Sequence, residues 1–458
     1  MYFSKHNIFA KISNSENYFI INLLTGNADI LSPEKALEII EQKYTAVNEY
    51  FKKGYLADPT QEKILFNAQY LNFLKSRDSE ELQIFFVPWY SCNFNCSYCY
   101  QASYPNSGKE LTKEIIDAFF IYITSEFHER RKYITLFGGE PLLAGTTQKE
   151  LLKYLLGEAK RLGIAVAVVT NGYNLAASIG LLKTASIREI QVTLDGTKEV
   201  HDKRRFLHNG SGTFAKIVKG IDLSLSAGFP VNLRVILDKT NFGNLPSLAK
   251  FAISKGWTNN PLFKTQLGRN YELHKCHNDS SSLFERIGLY EELYALVLNQ
   301  PELLEFHKPA FSISKFLAQN GELPKPLFDA CPGCKTEWAF DFTGSLYPCT
   351  ATVGKPEEKI GSFYHRQSKN DTLIAQWEDR DVTSIEKCHD CSLQLACGGG
   401  CGSVAKNATG ALNTPDCRPI NELLALGMAI YFNPDCYALG MRTETKEAEA
   451  FSTQKARA

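Results

Sequence analysis

Apolar and polar positions change their period along this chain. In residues 1–80, short apolar runs at 8–12, 18–24 and 28–31 are separated by the turn signals Asn14-Ser15-Glu16-Asn17 and Thr25-Gly26-Asn27, a pattern that predicts a three-stranded ribbon. Ser32-Pro33-Glu34-Lys35 then supplies an N-cap, a proline at the first helical position and an early acid, so a helix is expected to end near Gln42. Helical periodicity returns at 46–53 and 61–74. Beyond residue 80 the pattern alternates. Strand-like runs at 84–87, 134–137, 165–169, 190–194, 231–237 and 262–266 are interleaved with helical stretches at 113–128, 149–162, 213–227 and 245–255. Such alternation predicts β-α units in an α/β fold with six parallel strands. Ligand sites of parallel sheets gather beyond the carboxyl ends of strands, so the short polar segments at those ends carry the candidate chemistry.

Just past the first strand lies Cys92-x3-Cys96-x2-Cys99. Three thiolates this close can hold three irons of a [4Fe-4S] cube and leave the fourth open, where a purely electron-carrying cube takes four. A zinc site is the plainer alternative. It would close with a fourth ligand, and no histidine is near in sequence. Gly138-Gly139-Glu140-Pro141 follows the second strand, Thr170-Asn171-Gly172 the third and Thr193-Leu194-Asp195-Gly196 the fourth. Each also reads as an ordinary turn.

The cysteine triplet, with Tyr98 before its last member, resembles the signature of the radical S-adenosylmethionine (radical SAM) enzymes. The resemblance implies a partial (β/α)6 radical SAM barrel whose open iron ligates S-adenosylmethionine and releases a 5′-deoxyadenosyl radical. It implies that Gly138, Gly139, Glu140 and Pro141 bind the cofactor's amino group, Glu140 by its carboxylate, and that Thr170, Asn171, Thr193 and Asp195 line its pocket. Arg204 or Arg205, in the charge run His201-Asp202-Lys203-Arg204-Arg205, would continue the segment, with Arg204 carried as the cofactor contact; otherwise such a run is a solvated face.

The carboxyl third carries Cys331-x2-Cys334-x14-Cys349 and Cys388-x2-Cys391-x5-Cys397-x3-Cys401, then Cys417. This pattern resembles the SPASM domain of peptide- and protein-modifying radical SAM enzymes. The resemblance implies two auxiliary [4Fe-4S] clusters, one on Cys331, Cys334, Cys349 and Cys401 and one on Cys388, Cys391, Cys397 and Cys417, for three clusters in all. Paired Cys-x2-Cys is also a zinc pattern. Cys276 and Cys436 remain as candidate catalytic hydrogen donors or as packing residues. The helical stretch after Cys417 reads as core.

Length and charge add bounds. With 458 residues, about three domains are expected. Residues 1–80 resemble the small winged-helix modules that bind a leader peptide in peptide-modifying radical SAM enzymes, with a packing cap for the barrel as the alternative; the resemblances imply the barrel at 81–305 and the iron-sulfur SPASM domain at 306–440, and a charged tail follows at 441–458. Lys plus Arg and Asp plus Glu are both 50, so no global field recruits nucleic acid or an anionic membrane. No apolar run is long enough to span a bilayer and the start lacks a secretory core, which predicts a cytoplasmic protein. In a reducing compartment 13 cysteines point to metal or catalysis rather than disulfides.

By resemblance the leading expectation is a maturase that crosslinks or epimerises a ribosomally made precursor peptide, fed electrons by an external one-electron reductant such as flavodoxin or ferredoxin. An anaerobic sulfatase maturase forming formylglycine is the rival. Such enzymes carry aspartate after the cysteine matching Cys349, where this chain has Thr350. An iron-sulfur electron carrier is the reading outside catalysis.

Overall fold

The computed structural model describes residues 2–101, 110–270 and 280–432. Cys276, Cys436 and the tail at 441–458 lie outside the described residues. The chain divides into two compact units, each assembled from separated segments: 78–284 with 332–378, and 1–77 with 285–331 and 379–458.

The smaller strands belong to the second of these. β1 (Tyr2–Phe3) pairs antiparallel with β5 (Leu56–Ala57), and β2 (Asn7–Lys11), β3 (Tyr18–Asn22) and β4 (Asn27–Leu31) form the expected antiparallel ribbon. The helix Pro33–Ile40 starts at Ser32 with proline in its first turn. Ile20, Leu31, Ile39, Tyr50, Tyr55 and Leu56 form the core of this part. In the same unit Phe328 is fully buried among the rings of Phe66, Tyr70 and Phe73, at centroid distances of 5.1, 5.3 and 5.6 Å. The helix Ile420–Tyr431 buries Leu423, Leu424, Met428 and Ile430, so the stretch after Cys417 is core.

The other unit is the α/β body. β6 (Leu82–Val87), β7 (Lys132–Leu136), β8 (Ala165–Thr170), β9 (Ile187–Thr193), β10 (Val231–Leu237) and β11 (Phe263–Arg269) are parallel and lie side by side in chain order. Strand periodicity assigns their two faces. In β8, Val166, Val168 and Thr170 are buried, whereas the alternate Ala165, Ala167 and Val169 are half-buried, and Ala167 and Val169 line a cavity. The helix Lys113–Glu126, capped by the Thr112 hydroxyl, buries Ile116, Phe119, Phe120 and Ile123 against the convex side. There Phe119 stacks 4.4 Å from Phe86.

The sheet continues past the six expected strands. β12 (Glu337–Asp341) pairs parallel with β6, Glu337 opposite Gln83, and β13 (Ser345–Tyr347), β14 (Gly361–Ser362) and β15 (Ser368–Lys369) follow antiparallel, making ten strands. No local periodicity announces a parallel pairing between strands so distant in sequence. None of the helices among the described residues is long and apolar enough to cross a membrane.

Candidate active site

The chain leaves β6 at Val87 and runs as an irregular segment beside the turn that follows β7. The Gly139 N–H donates to the Trp89 carbonyl at 3.2 Å, the Glu140 N–H to the Ser91 carbonyl at 2.9 Å, and the Trp89 indole N–H to the Glu140 carbonyl at 2.6 Å. This contact explains the glycines. Gly138 has φ +115°, and a Cβ on Gly139 would sit 2.1 Å from the Ser91 oxygen and 2.5 Å from the Tyr90 oxygen. The glycine pair therefore permits two strand-end segments of the same chain to touch, besides any approach to a ligand.

Glu140 is 1% exposed and does not line the cavity described next. Its Oε1 accepts from the Thr170 hydroxyl at 2.6 Å and the Leu142 N–H at 2.8 Å, and its Oε2 accepts from the Asn171 N–H at 2.6 Å. The carboxylate thus ties the turn after β7 to the end of β8. Burial raises its pKa, and the Thr170 and Asn171 hydrogen bonds oppose that shift. Pro141 is buried in the same turn.

Cys92, Cys96 and Cys99 all line one cavity of about 230 Å³ at the carboxyl ends of the strands. Tyr98, Gly138, Gly139, Thr170, Asn171 and Thr193 share that wall. The Phe94 N–H points at Cys92 Sγ at 3.4 Å, and the Asn171 amide lies 3.7 Å from the same sulfur and 2.8 Å from Asn93 Oδ1. Burial pushes the Cys92 thiol up to about 12, so a metal binding there displaces a proton. Among the described residues no three His, Cys, Asp or Glu side chains converge to hold a single metal ion. Three thiols around one cavity, with N–H groups directed at a sulfur, fit an iron-sulfur cluster, which takes one thiolate per iron.

Asp195 and Arg204 sit one layer behind this wall. The Tyr98 hydroxyl donates to Asp195 Oδ2, whose other oxygen accepts from the Ile236 N–H at 3.0 Å. Arg204 is 7% exposed, and its Nη1 is 2.9 Å from both oxygens of Asp238, with its guanidinium 4.9 Å from the centre of the Tyr98 ring. Arg205, not Arg204, reaches the cavity, and its Nη1 donates to the Tyr98 hydroxyl at 2.8 Å.

The charge run is only partly a solvated face. His201 is fully buried; its Nδ1 accepts from the Asp195 N–H at 3.1 Å, while its Nε2 faces the Thr213 hydroxyl, itself donated to the Arg205 carbonyl. Nε2 therefore carries the proton, and burial, with Arg205 nearby, lowers the pKa to about 4. A neutral histidine inside a charged pentapeptide reflects the helix Lys198–Arg204, which turns positions 201 and 204 inward and leaves Lys203 exposed.

Sequence patterns missed several wall residues. Arg234 and Ile236 share one face of β10, Arg269 ends β11 and Asn270 follows it. The rule that pointed to Thr170 and Thr193 as strand-end groups applies equally to Asn270.

In the other unit, Cys388, Cys391, Cys397 and Cys417 gather. Burial and the neighbouring thiols of Cys397, Cys391 and Cys417 push Cys388 up to about 11, with Arg380 opposing. Gly398, Gly399 and Gly400 all have positive φ, at 60°, 71° and 68°, and a Cβ on Gly400 would lie 2.1 Å from the Asp416 oxygen. Arg380, 1% exposed, holds this loop: its guanidinium donates to the carbonyls of Gly399, Gly400, Leu412 and Thr414 at 2.8–3.0 Å. These four thiols, with a cation behind them, fit a second cluster. Of the other expected set, Cys331 and Cys401 belong to this unit and Cys334 and Cys349 to the α/β body.

Comparison with known proteins places this arrangement. Residues 86–252 match the Radical SAM superfamily. A cysteine-type anaerobic sulfatase-maturating enzyme of Clostridium novyi (strain NT) is 23% identical over 334 residues, 68% of this chain and 85% of that protein. The solved structure of native anSMEcpe with bound AdoMet and Cp18Cys peptide aligns with a TM-score of 0.59 at 17% identity, covering 79% of this chain and all of the other. Streptococcus suis SuiB bound to precursor peptide SuiA aligns with a TM-score of 0.50 at 14% identity, covering 91% and 98%.

Proposed function

We propose that this chain, whose residues 86–252 match the Radical SAM superfamily, is a maturase that modifies a ribosomally made peptide by forming a crosslink or inverting a stereocentre. The observation that carries the radical chemistry is that Cys92, Cys96 and Cys99 share one cavity wall with Gly138, Gly139, Thr170, Asn171 and Thr193. When bound, a reduced cluster and S-adenosylmethionine supply a 5′-deoxyadenosyl radical that removes hydrogen from an unactivated carbon.

The chain's own residues do the positioning. Cys92, Cys96 and Cys99 would hold the cluster. The backbone at Gly138 and Gly139, with Thr170, Asn171 and Thr193, would line the pocket for the cofactor and offer it polar atoms. Glu140 keeps that wall in register by binding the ends of β7 and β8 together. Arg205 would present a cation to the cofactor carboxylate, and Asp195 and Arg204 hold Tyr98 in the cavity wall. Cys388, Cys391, Cys397 and Cys417 would hold an auxiliary cluster, which would supply an acceptor for the electron left on the substrate.

Peptide modification draws support from the solved structures, since anSMEcpe and SuiB are each seen with a peptide. The sulfatase-maturase reading has equal support from the Clostridium relative. Thr350 replaces the aspartate expected there, and its N–H and hydroxyl donate to Glu337 Oε1 at 2.7 and 3.0 Å.

Co-expression with the short peptides encoded beside this chain, followed by mass spectrometry, separates the readings. A crosslink removes a pair of hydrogens, an epimerisation leaves the mass unchanged but takes up solvent deuterium, and formylglycine formation from cysteine both exchanges the sulfur for oxygen and removes a pair of hydrogens. The expected result is one of the first two on an adjacent peptide. Formylglycine on a neighbouring sulfatase sequence supports the rival, and no change on any adjacent peptide contradicts the proposal.

A further inference from the structure

Inside the six parallel strands is a second cavity of about 520 Å³, which shares Tyr100, Phe137, Val169 and Arg234 with the cysteine-lined one. Its wall holds three cationic side chains, Arg188, Arg234 and Lys264, against one carboxylate, Glu189. Two of the cations are already matched. Arg188 Nη1 is 2.7 Å from Glu81 Oε2 and its guanidinium lies 4.2 Å from the centre of the Tyr133 ring, and Lys264 pairs with Glu189. Glu337, beside this wall, is hydrogen-bonded by Thr350.

Arg234 differs. Its buried Nε has no hydrogen-bond partner, and among the described residues its guanidinium has no ion pair. Its register neighbours on β9 and β11 are Thr193 and Gln266, neither of them acidic. On β11 the nearby Gly268 leaves it room: a Cβ there would come within 3.6 Å of Nε. Keeping a guanidinium half-buried without a counter-charge is unfavourable unless a ligand brings one. A guanidinium's planar fork matches a carboxylate. The cofactor carries a single carboxylate, and Arg205 stands on the cysteine side for it, whereas Arg234 stands where the two cavities meet.

We propose that Arg234 receives a carboxylate of the peptide substrate, an aspartate or glutamate side chain or the C-terminus, and so sets the residue bearing it at the boundary with the cofactor cavity. The inference rests on the peptide reading and narrows its substrate class to an anionic residue at the reacting position.

The test titrates reconstituted, cofactor-loaded protein with glutarate and with its diamide, and compares the peptide from the co-expression experiment with forms amidated at each acidic side chain or at the C-terminus. Wild type should bind glutarate and R234K should bind it within about tenfold as well, whereas R234Q should not bind it, nor wild type the diamide. One amidated peptide should raise KM at least about tenfold in wild type and not further in R234Q, and its identity tells side chain from terminus. R234Q should keep its melting temperature, and any loss of S-adenosylmethionine affinity should be at least about tenfold smaller than its loss of glutarate affinity.

Glutarate binding undiminished in R234Q, or a loss of S-adenosylmethionine affinity that accounts for the whole defect, overturns the inference. Turnover of the peptide by R234Q with unchanged KM also overturns it and leaves the peptide reading standing. Glutarate binding through Arg234 in an enzyme that modifies no peptide supports the carboxylate site and defeats the peptide reading.

Discussion

Replacing Cys96 with serine is expected to reduce 5′-deoxyadenosine release to background while leaving the chain folded. Cys96 lines the cofactor cavity between Cys92 and Cys99, in an irregular segment rather than in a strand, so the sheet does not depend on its sulfur. A hydroxyl is a poor iron ligand, and a cube left with two of its three thiolates is lost or misplaced. The measurement is chromatographic detection of 5′-deoxyadenosine from reduced, reconstituted protein, with circular dichroism as the control for folding. Unchanged release would remove the triplet from the chemistry.

The second large effect is expected at Arg380, far in sequence from that triplet. Its guanidinium donates to four carbonyls, of Gly399, Gly400, Leu412 and Thr414, and so adds side-chain anchors to the backbone hydrogen bonds of three successive glycines at positive φ. Substitution by alanine removes all of these donors from a buried site and leaves, among the described residues, only the Gly399 carbonyl with a backbone donor, from Asp416, which should destabilise this unit by about 3 kcal/mol or more. It also removes the cation that opposes the raised pKa of Cys388, so thiolate ligands there become harder to form. Arg380→Ala should therefore lose about four irons per chain and melt earlier than wild type, whereas Arg380→Lys, which keeps the charge without the fork, should fall between them. Iron quantitation with a thermal melt reads both effects. Full iron content in the alanine variant would mean that the triglycine loop is held by something other than this side chain.

Much of the α/β body is legible from local pattern because parallel strands buried on one face and lining a lumen on the other retain apolar runs of their own. The run at 231–237 coincides with β10, and those at 84–87 and 165–169 fall within β6 and β8. β12 was invisible for the opposite reason: Glu-Trp-Ala-Phe-Asp has no flanking helix to complete a β-α unit, and its partner β6 is supplied from far upstream. At the site, the cysteines, glycines and strand-end polar groups were legible because ligand chemistry demands those residue types at fixed spacing.

What each group touches was not. Glu140 reads as a carboxylate free for an ammonium group, yet both of its oxygens accept hydrogen bonds from Thr170, Leu142 and Asn171. Arg204 and Arg205 are adjacent and chemically identical, and only the helix phase decides that the second faces the cavity while the first turns to Asp238. Arg234 gave no signal, since a lone arginine in an apolar strand looks like an interruption until its face of β10 is known.

Electron paramagnetic resonance of the reduced, anaerobically reconstituted protein, recorded before and after addition of S-adenosylmethionine, addresses the central claim most directly. An open iron in the cluster held by Cys92, Cys96 and Cys99 should shift its signal when the nucleotide ligates, and the shift should vanish in the Cys96→Ser variant while the auxiliary signal persists. A spectrum indifferent to the nucleotide, or a shift that survives loss of Cys96, would contradict it.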